Sequence, residues 1–158
     1  MNRLEQVRQR VDHILRNQPD LEERRAGFVH LYGVSQTCAL LALKRGLDVQ
    51  LCAVAGMLHD SATYVTGDPT DHDRLGALEA ERLLGELGSF TEREIAIICQ
   101  AISRHRAKGR VDDPFDELLK DADVLAHTLY NPGLKPILKE QPRLGAIWAE
   151  LDIEGQDR

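Results

Sequence analysis

His59 and Asp60 close the run "LCAVAGMLHD", in which every earlier residue is apolar or glycine. Ionisable side chains in such surroundings cost free energy unless they are paired or hold a metal. The pair therefore either solvates a helix end or supplies ligands. Three more histidines fall where helical spacing calls for core residues. His30 shares a face with Val34, Cys38 and Leu41, His72 precedes Gly76, Ala80, Leu83 and Leu87, and His105 continues Ile95, Ile98 and Ile102. Neutral imidazole is the commonest side-chain metal ligand, and apolar faces that each end in a histidine converge when helices pack as a bundle. The run "LLKDADVLAH" adds Asp121 and Asp123. They flank the apolar stripe Phe115, Leu118, Leu119, Ala122, Leu125, Ala126 and Leu129 by similar rotations, so periodicity leaves both open. His13, on an amphipathic terminal helix, and His127, after "DAD" without a partner, read as ordinary polar residues.

The elements that must position these groups are all helical, because no segment alternates over strand length. Leu4, Val7, Val11 and Leu15 mark a first helix that stops before Pro19. A second runs from about Ala26 to Lys44 and stops at Gly46. Asp48 caps a third, "VQLCAVAGMLH", apolar on most sides and hence central. "SATYVTGDPTD" reads as a loop. A fourth helix, "HDRLGALEAERLLGEL", closes at Gly88, and Thr91 with Glu94 forms a capping box for a fifth that carries "IAIICQAISRH". Asp113 and Pro114 open a sixth that ends near Tyr130, and "LKEQPRLGAIWAEL" gives a last helical stretch. The reading is an all-α bundle of six to seven helices forming one domain over residues 1–158. Its core spans about 26–130, with an N-terminal helix (1–17) and a C-terminal segment (134–158) packed on it. Leu144, Ile147 and Trp148 are expected to close that core.

A net charge of −6 argues against a general nucleic-acid polymer as partner, since that needs a basic face. It leaves room for a small phosphorylated ligand, because "SRHRAKGR" is locally positive. Cys38, Cys52 and Cys99 are isolated and odd in number, which fits reduced thiols in a cytosolic protein. No apolar segment of signal-peptide or membrane-spanning type is read, so the protein is expected to be soluble and cytoplasmic.

The order His30, His59-Asp60, then an aspartate in "DAD" resembles the HD superfamily of metal-dependent phosphohydrolases, over roughly Phe28 to Leu129. The resemblance maps the family's "AD" ligand onto Asp123, with Asp121 in reserve. "DHDRLGALEAERLL" resembles the segment that supplies a further histidine, His72, and "AISRHRAKGR" the segment that supplies His105. Relatives with both extra histidines usually hold two metals. The pattern is nearer the bacterial symmetrical diadenosine-tetraphosphate hydrolases than the cyclic-di-GMP phosphodiesterases, whose GYP signature is absent. Many relatives carry lysine three residues after the HD aspartate, where this chain has Thr63.

The resemblance implies that His30, His59, Asp60 and Asp123 hold one divalent transition metal. Asp60 would bridge to a second ion on His72 and His105. Nitrogen and oxygen donors suit Fe, Mn, Co, Ni or Zn better than Ca. The implied chemistry is hydrolysis of a nucleotide or dinucleoside polyphosphate by a metal-activated hydroxide at His59 and Asp60. Arg104 or Arg106 would contact phosphate, Lys108 and Arg110 stay undecided, and Tyr64 either covers a base or is an ordinary loop tyrosine. Two other readings are a non-catalytic nucleotide-binding sensor and a di-iron oxygenase on the same frame.

Overall fold

The computed structural model describes residues 2–67 and 70–153. They form α1 (Arg3–Arg16), α2 (Leu21–Arg45), α3 (Val49–Leu58), α4 (Ser61–Thr66), α5 (His72–Leu87), α6 (Glu92–Arg104), α7 (Pro114–Tyr130), a 3-10 turn (Leu138–Glu140) and α8 (Gln141–Glu150). The all-α class holds, and local chemistry sets the boundaries. The Asp20 carboxylate accepts from the Glu22 and Glu23 N–H groups at 2.8 and 3.0 Å, and the Asp48 carboxylate from Leu51 N–H at 2.9 Å. Thr91 and Glu94 form the reciprocal capping box. Gly46 and Gly88 end α2 and α5 with φ of 67° and 61°, the left-handed conformation that favours glycine.

Two boundaries differ from the sequence reading. α2 begins at Leu21 rather than Ala26, because Asp20 caps an extra turn, "LEERR", that faces solvent and so shows no apolar period. The stretch read as the loop "SATYVTGDPTD" contains α4, while its residues 68 and 69 lie outside the described residues. Its β-branched residues disfavour a helix, but tertiary packing overrides that preference. Ser61 and Ala62 are buried, and the Ser61 hydroxyl donates to the Leu58 carbonyl at 2.8 Å.

α3 is the centre of the bundle, with Leu51 through Leu58 all buried. It packs on α1, α2, α6 and α7, and α5 pairs with α6. α2 is long and apolar enough to cross a membrane by length and composition alone. In this fold it is a core helix, burying Leu31, Val34, Cys38 and Leu41 against α3 and α7. Leu144 and Ile147 from α8 join the same core. All three cysteines are free thiols.

Two glycines let the helices approach closely enough for their histidines to meet. A Cβ at Gly56 would stand 2.9 Å from Ser35 Cα and from Val34 O on α2, and 2.8 Å from Cys38 Sγ. A Cβ at Gly76 would stand 2.8 Å from the His59 carbonyl oxygen. The α2–α3 and α3–α5 contacts thus bring His30 and His72 to the end of α3. Gly56→Ala should push α2 from α3 against rigid backbone, costing about 1–3 kcal/mol. Denaturant unfolding would register that cost, and bound metal should fall with it, because His30 and His59 ride on the two separated helices.

Candidate metal centre

Four of the six ligand candidates, His59, Asp60, His72 and His105, sit at helix ends, while His30 and Asp123 lie within α2 and α7. His59 and His105 occupy the C-caps of α3 and α6, and His72 opens α5. The last carbonyls of a helix lack intrahelical donors, and the two C-cap imidazoles exploit this. His59 Nδ1–H donates to Gly56 O at 2.8 Å and His105 Nδ1–H to Ile102 O at 2.7 Å. Each bond fixes the ring and turns Nε2 into the cluster.

The Nε2 atoms converge on the Asp60 carboxylate. Its Oδ2 lies 3.3 Å from His30 Nε2 and 3.3 Å from His59 Nε2. Its Oδ1 lies 3.3 Å from His72 Nε2 and 3.2 Å from His105 Nε2. His30 and His59 are themselves 3.1 Å apart at Nε2. Asp123 Oδ1 joins from α7, 3.6 Å from His30 Nε2 and 3.7 Å from His59 Nε2. The structure therefore brings His30, His59, Asp60, His72, His105 and Asp123 together in one cluster.

The cluster fits a divalent cation. Asp60 Oδ1 and Asp123 Oδ1 are buried oxygens without a hydrogen-bond partner, and such atoms call for a ligand. Donors around an ion bonded at about 2.0–2.2 Å lie roughly 3–3.6 Å from one another, close to the spacings observed. Among the described residues, three donor groups are compact enough to hold metal: His30, His59 and Asp60; Asp60, His72 and His105; and His30, Asp123 and His127.

The last group contains a residue that sequence reasoning passed over. His127 Nε2 is 3.6 Å from Asp123 Oδ1, and its ring stacks on His30 with centroids 5.0 Å apart and an 11° interplanar angle. The available signal was its spacing: four residues beyond Asp123 on one helix is the same face.

Electrostatic partners separate the two aspartates of "DAD". Asp121 pairs with Arg45 and Arg143, each at 2.8 Å, and ties α2 to the C-terminal segment. Asp123 turns into the cluster, with its other oxygen, Oδ2, 2.6 Å from Lys108 Nζ. Lys108 also reaches Glu140 Oε1 at 3.2 Å. Burial opposes the lysine's charge, but Asp123 and then Glu140 raise its pKa. The previously undecided Lys108 thus supports a ligand, from a segment distant from Thr63.

Of the two arginines expected at phosphate, Arg104 is held by the start of α7. Arg104 Nη1 lies 2.7 Å from the buried Asp116 and 3.5 Å from Asp113, so its ion-pair partners are not members of the cluster. The acidic N-terminal turn of α7 claims it. Arg106 is half exposed and 3.6 Å from Asp73, and Arg110 pairs with Asp112 at 2.9 Å. Tyr64 packs over Gly27, where an added Cβ would meet its ring at 2.9 Å, and lines a cavity that reaches His30 and Asp60.

Two outcomes follow from this geometry. Asp123→Asn should abolish stoichiometric metal binding. Asp121→Asn should retain metal but lose about 1–3 kcal/mol of stability through its arginine pairs, so elemental analysis and denaturant unfolding separate the two. In the metal-free protein, burial disfavours the charged form of His59, yet Asp60 and then Asp123 prevail and push its pKa up to about 10. Below that pH, Nε2 carries a proton that a cation must displace. Apparent metal affinity should therefore rise about tenfold per pH unit from about 7 to about 9, and fall as pH drops. Competition with a chelator of known affinity measures the slope.

Comparison with known proteins agrees with this architecture. A crystal structure of a predicted HD superfamily hydrolase from an uncultured Thermotogales bacterium superposes with a TM-score of 0.61 at 21% identity, covering 91% of this chain and 88% of that one. At that identity the likeness concerns the fold. No curated protein matches the chain. The HD domain family matches residues 27–128, more than half of the chain, a span that contains all six clustered residues. The chain belongs to the HD domain family.

Proposed function

We propose that this protein is a metal-dependent phosphohydrolase acting on a phosphate ester or anhydride of a nucleotide or dinucleoside polyphosphate. The free thiols favour the cytoplasm as its place of action. The observation that carries the reading is the Asp60 carboxylate, each of whose oxygens faces a different pair of imidazoles. That arrangement suits two ions sharing one carboxylate. His30, His59, Asp60 and Asp123 would hold one, and Asp60, His72 and His105 the other. Divalent ions there would neutralise phosphoryl oxygens and supply hydroxide at neutral pH, which a charged phosphate otherwise repels.

The chain's own residues prepare the site for that work. The Gly56 and Ile102 carbonyls hold His59 and His105 with Nε2 inward, so little reorganisation remains when ligands bind. Lys108 occupies one oxygen of Asp123 and leaves the other for the cluster. His59, His105 and Asp123 are almost fully buried, which removes bulk water from one side. His30, His72 and Asp60 are partly exposed and form the approach.

His59→Ala and Asp60→Asn should each lower bound metal and reduce phosphate release by at least about a thousandfold, the scale expected when an electrostatic centre is dismantled. Metal analysis and product chromatography over esters, nucleotides and dinucleoside polyphosphates provide the check. A metal-loaded protein that binds nucleotides without turning any over would be a sensor. Oxygen uptake with a mixed-valence iron signal would instead assign an oxygenase.

A further inference from the structure

A cavity of about 940 Å³ lies between α2 and α7 and opens onto the metal centre. His30, Asp60 and His127 form its inner end. Its walls run outward along one face of α2, through Val29, Gly33 and Leu40, and along α7 through Leu129 and Tyr130, with Tyr64 at the side. The volume suits a small organic molecule. Val29, Leu40, Leu129 and Tyr130 are 41–55% exposed, an apolar stripe continuous with a polar centre.

The charge of this cavity is its telling feature. Among the described residues, no lysine or arginine lines it, and Asp60 is its one carboxylate. Of the cations nearest the cluster in the sequence, Arg106 is half exposed beside Asp73 on α5 and is not part of the cavity wall, and the others are engaged elsewhere. Arg104 and Arg110 belong to the acidic turn at the start of α7, Lys108 stands behind Asp123, and Arg143 holds Glu117 and Asp121. A phosphate at the metal centre is compensated. Any further phosphate running into the cavity would lose hydration against leucine, valine and alanine with no cation to meet it. A planar, uncharged group gains apolar contact there, and tyrosines offer it ring faces and edges.

Resting on the phosphohydrolase reading above, we propose that the substrate is a phosphomonoester whose alcohol portion is uncharged and carries a planar ring. That portion sits between α2 and α7, and the single phosphate sits at the metal centre. Hydrolysis cleaves the bond from phosphorus to the alcohol oxygen, water supplies the new oxygen on phosphorus and a proton for the alcohol, and inorganic phosphate is released. Polyphosphate chains are the disfavoured class.

Gly33 gives a direct test, because a Cβ there would meet only the Ala126 methyl at 4.0 Å, so a larger side chain grows into the cavity. With metal-loaded full-length protein, kcat/KM is measured for a nucleoside 5′-monophosphate, glycerol phosphate, a nucleoside 5′-triphosphate and diadenosine tetraphosphate. The monophosphate should exceed each of the others by at least about tenfold. At equal bound metal, Gly33→Leu should reduce the ratio of nucleoside monophosphate to glycerol phosphate by at least about fivefold, through KM. Leu40→Arg, at a half-exposed position that tolerates substitution, should move preference toward the triphosphate by a similar factor.

Preference for the triphosphate or tetraphosphate in the unaltered protein, or ratios unmoved in both variants, overturns this inference and leaves the phosphohydrolase reading standing. Failure of the metal-loaded protein to cleave any ester or anhydride overturns both. A stable dimer in light scattering that Leu40→Arg dissociates assigns the apolar face to a second copy and likewise overturns it.

Discussion

Asp60 brings a negative charge to the inner end of a helical bundle, and much of the surrounding structure answers that charge. One of its oxygens is buried with no hydrogen bond, a condition that is costly in an apolar interior. Four imidazoles from α2, the end of α3, the start of α5 and the end of α6 surround it at 3.2–3.3 Å. The neighbouring charges hold its pKa far below the usual carboxylate range against its own burial. An interior built this way is suited to a cation.

The helices obey that requirement through their ends more than through their length. Gly56 and Gly76 permit close approach on two sides of α3. Where α3 and α6 stop, their C-cap histidines use carbonyls that the helix no longer satisfies. The same bond that completes each helix end also aims a ligand. Secondary structure and site chemistry are one set of hydrogen bonds here, and loosening either disturbs both.

The helices and the histidine set were legible in the sequence because both depend on local spacing. His30, His72 and His105 stood on apolar stripes, and caps such as Asp48 and Thr91 marked where helices begin. What stayed hidden depends on partners far away in the chain. Asp121 and Asp123 are symmetric about their stripe, and only Arg45 and Arg143 on one side, and Lys108 on the other, separate them. Arg104 looked available beside His105 until the fold carried the start of α7 alongside it. α4 was missed because its formation rests on burial of Ser61 and Ala62, which residue preferences oppose. His127 was discounted for lack of a partner, yet its partner was Asp123, one helical turn back.

Lys108 joins a ligand candidate to the C-terminal segment: it lies between Asp123 and Glu140, both buried carboxylates. Arg143 adds a second tie by donating to the Lys108 carbonyl at 2.7 Å. Docking of the chain's last helical segment and occupancy of the cluster consequently share one ammonium group. Such linkage is reciprocal. A cation that withdraws electron density from Asp123 alters how firmly Lys108 grips Glu140, and whatever pulls on the 3-10 turn is felt at the cluster.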